Sequence, residues 1–353
     1  MTTAAAPIQS SVSHRARRRA LQIGLFALLC ITLFCAFTLM NNGGDPLDFA
    51  RVGTMFSSGA YANMDGTKGY DGQFGYYIAR DGANAVPYID GPTLRFQRIL
   101  YPLTVRALSL GQPELIAWML IVVNVLAHSI GAALITYLIV SYNAPVIGGV
   151  IYALWIGAVI AVRMDLNEPL CFALALGALV AYRHERYRWT ILLLMLSTIS
   201  KELGLIFAAG IALLAFFNGK RRWAVLIFSG PLLLFLVWWG LMRLWLGRLP
   251  LGYPAAHLEL IPLRGMFSET DPAQFLFLVL WLGIPSIVLL LLALRTIWKR
   301  RNIPLSAAVL LVAAGFVITM PDVSWEDPIA AYRVGMPLII AGLLYTAQVY
   351  PRA

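Results

Sequence analysis

Charge is scarce in this chain of 353 residues: Asp, Glu, Lys and Arg make up 12% of it, about half the fraction usual in a soluble domain. Hydrophobic residues reach 60% and gather in repeated runs as long as the ~20 residues a membrane-spanning helix needs. An ordinary water-soluble domain is excluded, and an integral membrane protein is predicted. Cysteine is scarce as well. Cys30, Cys35 and Cys171 all fall inside apolar runs, where a thiol behaves as a small hydrophobe and builds no disulfide framework. The HExxH, Walker and paired-cysteine spacings are missing, and the acidic stretches hold no clean DxD; a divalent cation stays possible, with nothing in the sequence calling for one. Acidic charge is the scarcer sign, 17 residues against 27 basic ones, for a net charge of +10. The cations cluster in short segments between apolar runs, as the positive-inside bias produces in any polytopic protein, so the excess does not imply nucleic acid as a partner.

The chain opens with 13 small and polar residues, expected to be disordered, then HRARRR (His14 to Arg19) and an apolar run from Ala20 to Met40. That run is too long for a signal-peptide core, and the NNGGD after it offers no small-x-small cleavage site, so it reads as an uncleaved anchor behind a cytoplasmic basic tail, residues 1–19. Residues 41–112 are polar and rich in Gly, Asp and Tyr; a stretch of that length without structure of its own is uncommon and points to a functional outer loop. Apolar segments follow over 115–140, 146–162, 170–183, 189–217, 223–246, 273–294, 304–320 and 334–349, separated in part by the cationic RHERYR, KRR and RTIWKRR. Ser200, Lys201 and Glu202 interrupt the run 189–217, and a hairpin turning there keeps the clusters on both sides of it in the cytoplasm. The expected fold is all-α, one polytopic transmembrane helix bundle over 20–353 with about ten apolar segments and both termini cytoplasmic. Its outer loops lie near 41–112, with short amphipathic helices, and near 247–272. Of the 17 acidic residues only Glu185 falls on the cytoplasmic side of this scheme. Acidic residues contribute little to orientation, so their one-sidedness predicts a polar working face outside.

The candidates for chemistry centre on GYDGQFGYYIARDG, Gly69 to Gly82. Asp71 and Asp48 could each act as a general base on a sugar hydroxyl, or each could merely cap a helix or close an Asx turn. Gln73 and Tyr76 are candidate supporting groups beside Asp71. Lys201 and Glu202 are ionisable residues in an apolar hairpin, which marks a functional site, the bland alternative being an ion pair that pins the turn. Glu168 reads as a further supporting carboxylate or as one answering a helix dipole. Arg95, Arg98 and Arg333 end apolar segments on the expected outer face, where guanidinium groups grip a phosphate or snorkel to headgroups. His128 and Asn124 read as contacts between helices.

Taken together, GYDGQFGYYIARDG, RFQRILYPL (Arg95 to Leu103), the NEP turn, the SKE hairpin and YRVGMPL (Tyr332 to Leu338) resemble the GT-C superfamily of polytopic glycosyltransferases. The likeness is to its bacterial members associated with cell-surface glycopolymers. The resemblance implies a polyprenyl-phosphate sugar donor, a first-loop aspartate as base, and inverting transfer to a glycan or lipid acceptor at the outer side of the inner membrane. By position Asp71 matches the loop aspartate, with Asp48 as its rival; Lys201 and Glu202 match the lysine–glutamate turn and Arg333 the late arginine. The chain departs from the family in having no sizeable soluble domain after Val349, so acceptor recognition by such a domain is not expected. Two other classes compete. A transporter or flippase for a lipid-linked or anionic solute would use Lys201 and Glu202 as a midplane site, although related halves are not evident. A non-catalytic membrane protein of envelope assembly would need none of these residues for chemistry.

Overall fold

A helix satisfies its own backbone donors and acceptors, which is why apolar runs in a membrane become helices. The computed structural model describes residues 6–59, 62–253, 257–300 and 303–351, and among them the only β pairing is a bridge between Ser57 and Gly59. Residues 1–5 of the tail, 254–256 of the second expected loop, and Arg301 lie outside the described residues. The chain runs through α1 (Ala6–Asn41), α2 (Leu47–Ala50), α3 (Gly72–Asp81), α4 (Pro92–Phe96), α5 (Leu100–Leu108) and α6 (Pro113–Ser141). Then come α7 (Ile147–Leu154), α8 (Ile156–Arg163), α9 (Glu168–Arg183), α10 (Tyr187–Ser200), α11 (Gly204–Phe217) and α12 (Arg221–Leu246). The rest comprises α13 (Pro272–Leu278), α14 (Ile284–Lys299), α15 (Leu305–Ile318), α16 (Pro328–Val334) and α17 (Met336–Val349). The disordered start expected over 1–13 is corrected from Ala6 onward, where α1 is already helical.

The expected count of about ten spanning segments is corrected as well. Among the described residues four helices are long and apolar enough to cross a membrane, His14–Asn41, Pro113–Ser141, Arg221–Leu246 and Pro272–Lys299, or five if α16 and α17, bent by 43° at Gly335, count as one. The other segments fail on reach, because α11 and α15 have 14 residues each and a helix rises 1.5 Å per residue, giving ~21 Å against a ~30 Å hydrocarbon core. Residues 146–162, expected as one helix, break at Trp155 (φ −63°, ψ 128°), and nothing in the local sequence marks the break. Within Pro272–Lys299 the turn Val279–Gly283 widens to a π-helix; the ring of Pro285 would clash with the Trp281 carbonyl in an ordinary turn. The surface agrees with a membrane protein: Leu21, Leu25, Leu29 and Leu33 form a stripe on α1 with exposures of 55 to 63%, a face that water would not tolerate.

The hairpin expected at Ser200 is present. Lys201 is extended (φ −158°, ψ 142°) between α10 and α11, and the far ends of those helices meet, since Lys220 Nζ lies 2.9 Å from Glu185 Oε1. A second short turn joins α8 to α9, and the two turns lock together: Asn167 Nδ2 donates to Ser200 O at 3.3 Å while Ser200 Oγ donates back to Asn167 O at 3.3 Å. The segment carrying α2 to α5 has an apolar core of its own, with Phe56, Phe74, Ile78 and Phe96 packed against Met242 of α12. Arg106 of α5 ties down the end of α3, donating to the carbonyls of Ala79 and Arg80 at 2.9 and 2.7 Å. At Gly72 this segment meets the α8–α9 turn, so closely that a Cβ there would collide with the Met164 carbonyl.

Candidate functional site

Five stretches of the chain converge: the start of α3, the residues around α4, the two turns just described, and α16. Asp71 stands at the N-cap position of α3, yet its side chain caps no backbone N–H. Its carboxylate accepts instead from Arg95 Nη1 at 2.9 Å and from Arg333 Nη2 at 2.8 Å. Arg95 also forks onto Asp90, at 2.9 and 2.8 Å, and lies 4.4 Å above the Phe74 ring. Arg333 reaches onward to Glu168 Oε1 at 2.7 Å, where Lys201 Nζ also donates, at 2.5 Å. Beside them Arg98 grips Glu202 with two bonds of 3.0 and 2.6 Å. The cations Arg95, Arg98, Lys201 and Arg333 are thus each paired within the carboxylates Asp71, Asp90, Glu168 and Glu202.

Burial sorts these groups. The side chains of Glu168 and Lys201 are 2% and 3% exposed, whereas Asp71 is 27% and Glu202 32% exposed. Glu168 therefore holds Lys201 and Arg333 from within the protein, while Asp71 stays partly accessible. Burial by itself would raise the Asp71 carboxyl, but Arg95, then Arg333, with Arg98 and Lys201 farther off, outweigh it and hold it well below the usual carboxylate range. Burial likewise opposes the charge on Arg95, and Asp71 with Asp90 more than restores it. Tyr70, pushed up by burial and by its bond to Asp327, stays a neutral phenol; it donates to Asp327 Oδ2 at 2.5 Å and stacks 5.4 Å from the Arg333 guanidinium. Asp327 also caps α16 through Ile329 N at 3.0 Å. The pair fastens the first loop to the helix that carries Arg333.

A cavity of about 570 Å³ opens on this network. Its lining includes the charged side chains of Asp71, Arg95, Arg98, Lys201, Glu202 and Arg333 together with the apolar Leu203 and, from α11, α12 and α15, Ile206, Phe235, Trp239 and Phe316. Such a space fits a molecule with an anionic head and an apolar body. Among the described residues no group of three His, Cys, Asp or Glu side chains gathers where a metal ion could sit.

Of the residues singled out in the sequence, Asp71, Arg95, Arg98, Glu168, Lys201, Glu202 and Arg333 are brought together here. Asp48 is not. It belongs to α2, where its backbone carbonyl accepts from Arg163 at 2.8 Å, and it lines neither the cavity nor the network. Asp45 closes a turn onto Leu47 N at 2.9 Å. Gln73 adjoins Asp71, but both ends of its amide are used on backbone, accepting from Gly53 N at 3.0 Å and donating to Lys68 O at 2.7 Å. Tyr76 packs under Arg80, 5.3 Å from the guanidinium, away from the cluster. His128 and Asn124 join helices, through Ala153 O at 2.9 Å and the Tyr101 hydroxyl at 2.8 Å. Sequence reasoning missed Asp90, Asn167 and Asp327 as members of the site. Asp327 before Pro328 was legible as a helix cap; no local signal gave its partner Tyr70. No family model matches the chain, and no curated protein or solved structure matches it either.

Proposed function

We propose that this protein is a membrane glycosyltransferase of the GT-C type that its motifs resemble, working at the outer side of the bacterial inner membrane. It moves a sugar, with inversion, from a polyprenyl-phosphate donor to a glycan or lipid acceptor of the cell envelope. The observation that carries this reading is a cavity whose lining combines Arg95, Arg98, Lys201 and Arg333, which could meet a phosphate, with apolar side chains of three helices, which could meet an isoprenoid. Support for the orientation comes from the one-sided acidic residues and the cationic clusters, which leave both termini in the cytoplasm.

In the reaction the acceptor oxygen bonds to the anomeric carbon as the bond from that carbon to the phosphate oxygen breaks. The proton passes from the acceptor hydroxyl to Asp71, and the electron pair leaves with the phosphate, whose growing charge Arg98, Lys201 and Arg333 stabilise. In the resting arrangement two guanidiniums make Asp71 a weak base. A donor phosphate that engages Arg333 offsets one of them, so the carboxylate gains basicity when the donor is bound. Glu168 keeps Lys201 and Arg333 aimed at the phosphate, and Glu202 yields part of its hold on Arg98.

The test is to incubate the purified protein, in detergent, with a panel of polyprenyl-phosphate sugars and to follow sugar release and transfer. Turnover of one donor, lost in Asp71→Asn, supports the reading; a folded protein that binds polyprenyl phosphates without turning over any of their sugars is the result against it.

A further inference from the structure

A second cavity, about 270 Å³, adjoins Asp71. Asp71, Arg95 and Tyr70 line both cavities, but the rest of the second one comes from residues 55–90 alone, with nothing from the long apolar helices. A lipid has no apolar channel there. Its polar residues are Asp71, Asp90, Arg95, Lys68, Tyr70 and Gln73, and its apolar side chains are Met55 with Phe56 and Phe74, the two rings edge to face at 5.3 Å. Charged donors and acceptors that bond hydroxyls, beside rings that cover C–H faces, match a polyhydroxylated ring.

The backbone beneath this cavity is held firmly. Met55 N donates to Thr67 O at 3.1 Å, Tyr70 N to Arg51 O at 2.9 Å, and Gln73 ties Gly53 N to Lys68 O. Gly69 turns at φ +70°, where a Cβ would also collide with Arg51 O. Lys68 is therefore presented from a fixed backbone. Asp71 and Asp90 are both paired with Arg95, whereas Lys68 enters no ion pair among the described residues. The charges of the lining balance, two carboxylates against two cations, but Arg95 is already engaged by both carboxylates and Lys68 is the cation left open to an incoming acid.

Resting on the glycosyl-transfer reading above, we infer that the second cavity binds the acceptor as a water-borne saccharide bearing an acidic substituent, with Lys68 selecting for the acid. The test uses the purified full chain in detergent, saturation-transfer NMR, and two soluble probes, methyl glucuronoside and methyl glucoside. Both probes should bind, the glucuronoside roughly two- to fivefold tighter, with an advantage that shrinks as salt is added. Lys68→Met should abolish the advantage and Lys68→Arg should keep it. Binding of neither probe, or an acid preference that survives in a folded Lys68→Met, overturns the inference. Sugar release from polyprenyl-phosphate donors is followed in parallel. Release without saccharide binding overturns the second-cavity assignment alone; saccharide binding without release overturns the transferase reading and leaves the cavity assignment standing.

Discussion

Glu168→Gln isolates the buried centre of the network. Glu168 Oε1 takes hydrogen bonds from Lys201 at 2.5 Å and Arg333 at 2.7 Å, and none of the three side chains is more than 7% exposed. After the substitution Arg333 keeps Asp71, but Lys201 loses the only carboxylate within salt-bridge distance among the described residues. Breaking a buried pair typically costs about 3–5 kcal/mol, because the remaining charge is left uncompensated out of water. For a chain of this size the melting temperature should fall by on the order of 5 °C. The same bare charge favours a phosphate, so saturating farnesyl phosphate should raise the melting temperature more in Glu168→Gln than in the parent, by stabilising only the folded form. Lys201→Met combined with Glu168→Gln should recover part of the lost stability, since no lone charge remains. Thermal unfolding in detergent, followed by tryptophan fluorescence, measures all of these. An unchanged melting temperature in Glu168→Gln would refute the buried network, and an equal response of parent and variant to the phosphate would remove Lys201 from the phosphate site.

Asp71→Asn should lower transfer ~10²- to 10⁴-fold with donor affinity retained, while Asp48→Asn, outside the cluster, should stay close to the parent; the reverse order would move the base to α2. Because guanidinium groups depress the Asp71 carboxyl, its contribution to stability and activity is present above the ordinary carboxylate pKa and is lost only as pH falls well below it. Arg333→Gln removes one of those groups, so the acid limb of kcat/KM should move to higher pH, and an unmoved limb means that another group titrates. Gly72→Ala forces a methyl into the Met164 carbonyl and should cost about 1–3 kcal/mol of stability, read as a lower melting temperature; a neutral outcome would contradict the contact between α3 and the α8–α9 turn. Cysteines placed at Asp65 and Ser268 should react with an impermeant thiol reagent in intact cells and one at Asn218 should not, and labelling at Asn218 alone would invert the orientation.

Composition by itself determined the class of the protein. Burial of long apolar runs in a helix needs no partner beyond lipid, so an all-helical membrane protein follows from residues counted along the chain. The hairpin at Ser200 was also legible, because the cationic clusters RHERYR and KRR demand the same side of the membrane. The number of spans was not. Apolarity alone does not set where a helix stops, and α7 and α8 part at Trp155 without any proline, glycine run or charge to announce it. In the site, the sequence supplied the residue types and the tertiary structure chose among equals. Asp48 and Asp71 read alike along the chain, both being loop aspartates ahead of a helix. Packing sets them apart, because Arg95 lies 24 residues from Asp71 and Arg333 262 residues from it in sequence, and only Asp71 is carried to both. The partner of Lys201 shows the same limit. Its neighbour Glu202 turns to Arg98, and Lys201 pairs with Glu168, 33 residues back. Adjacent side chains leave an extended backbone on opposite sides, so at Lys201 the pair that looked like one unit in sequence is split by the geometry of the turn.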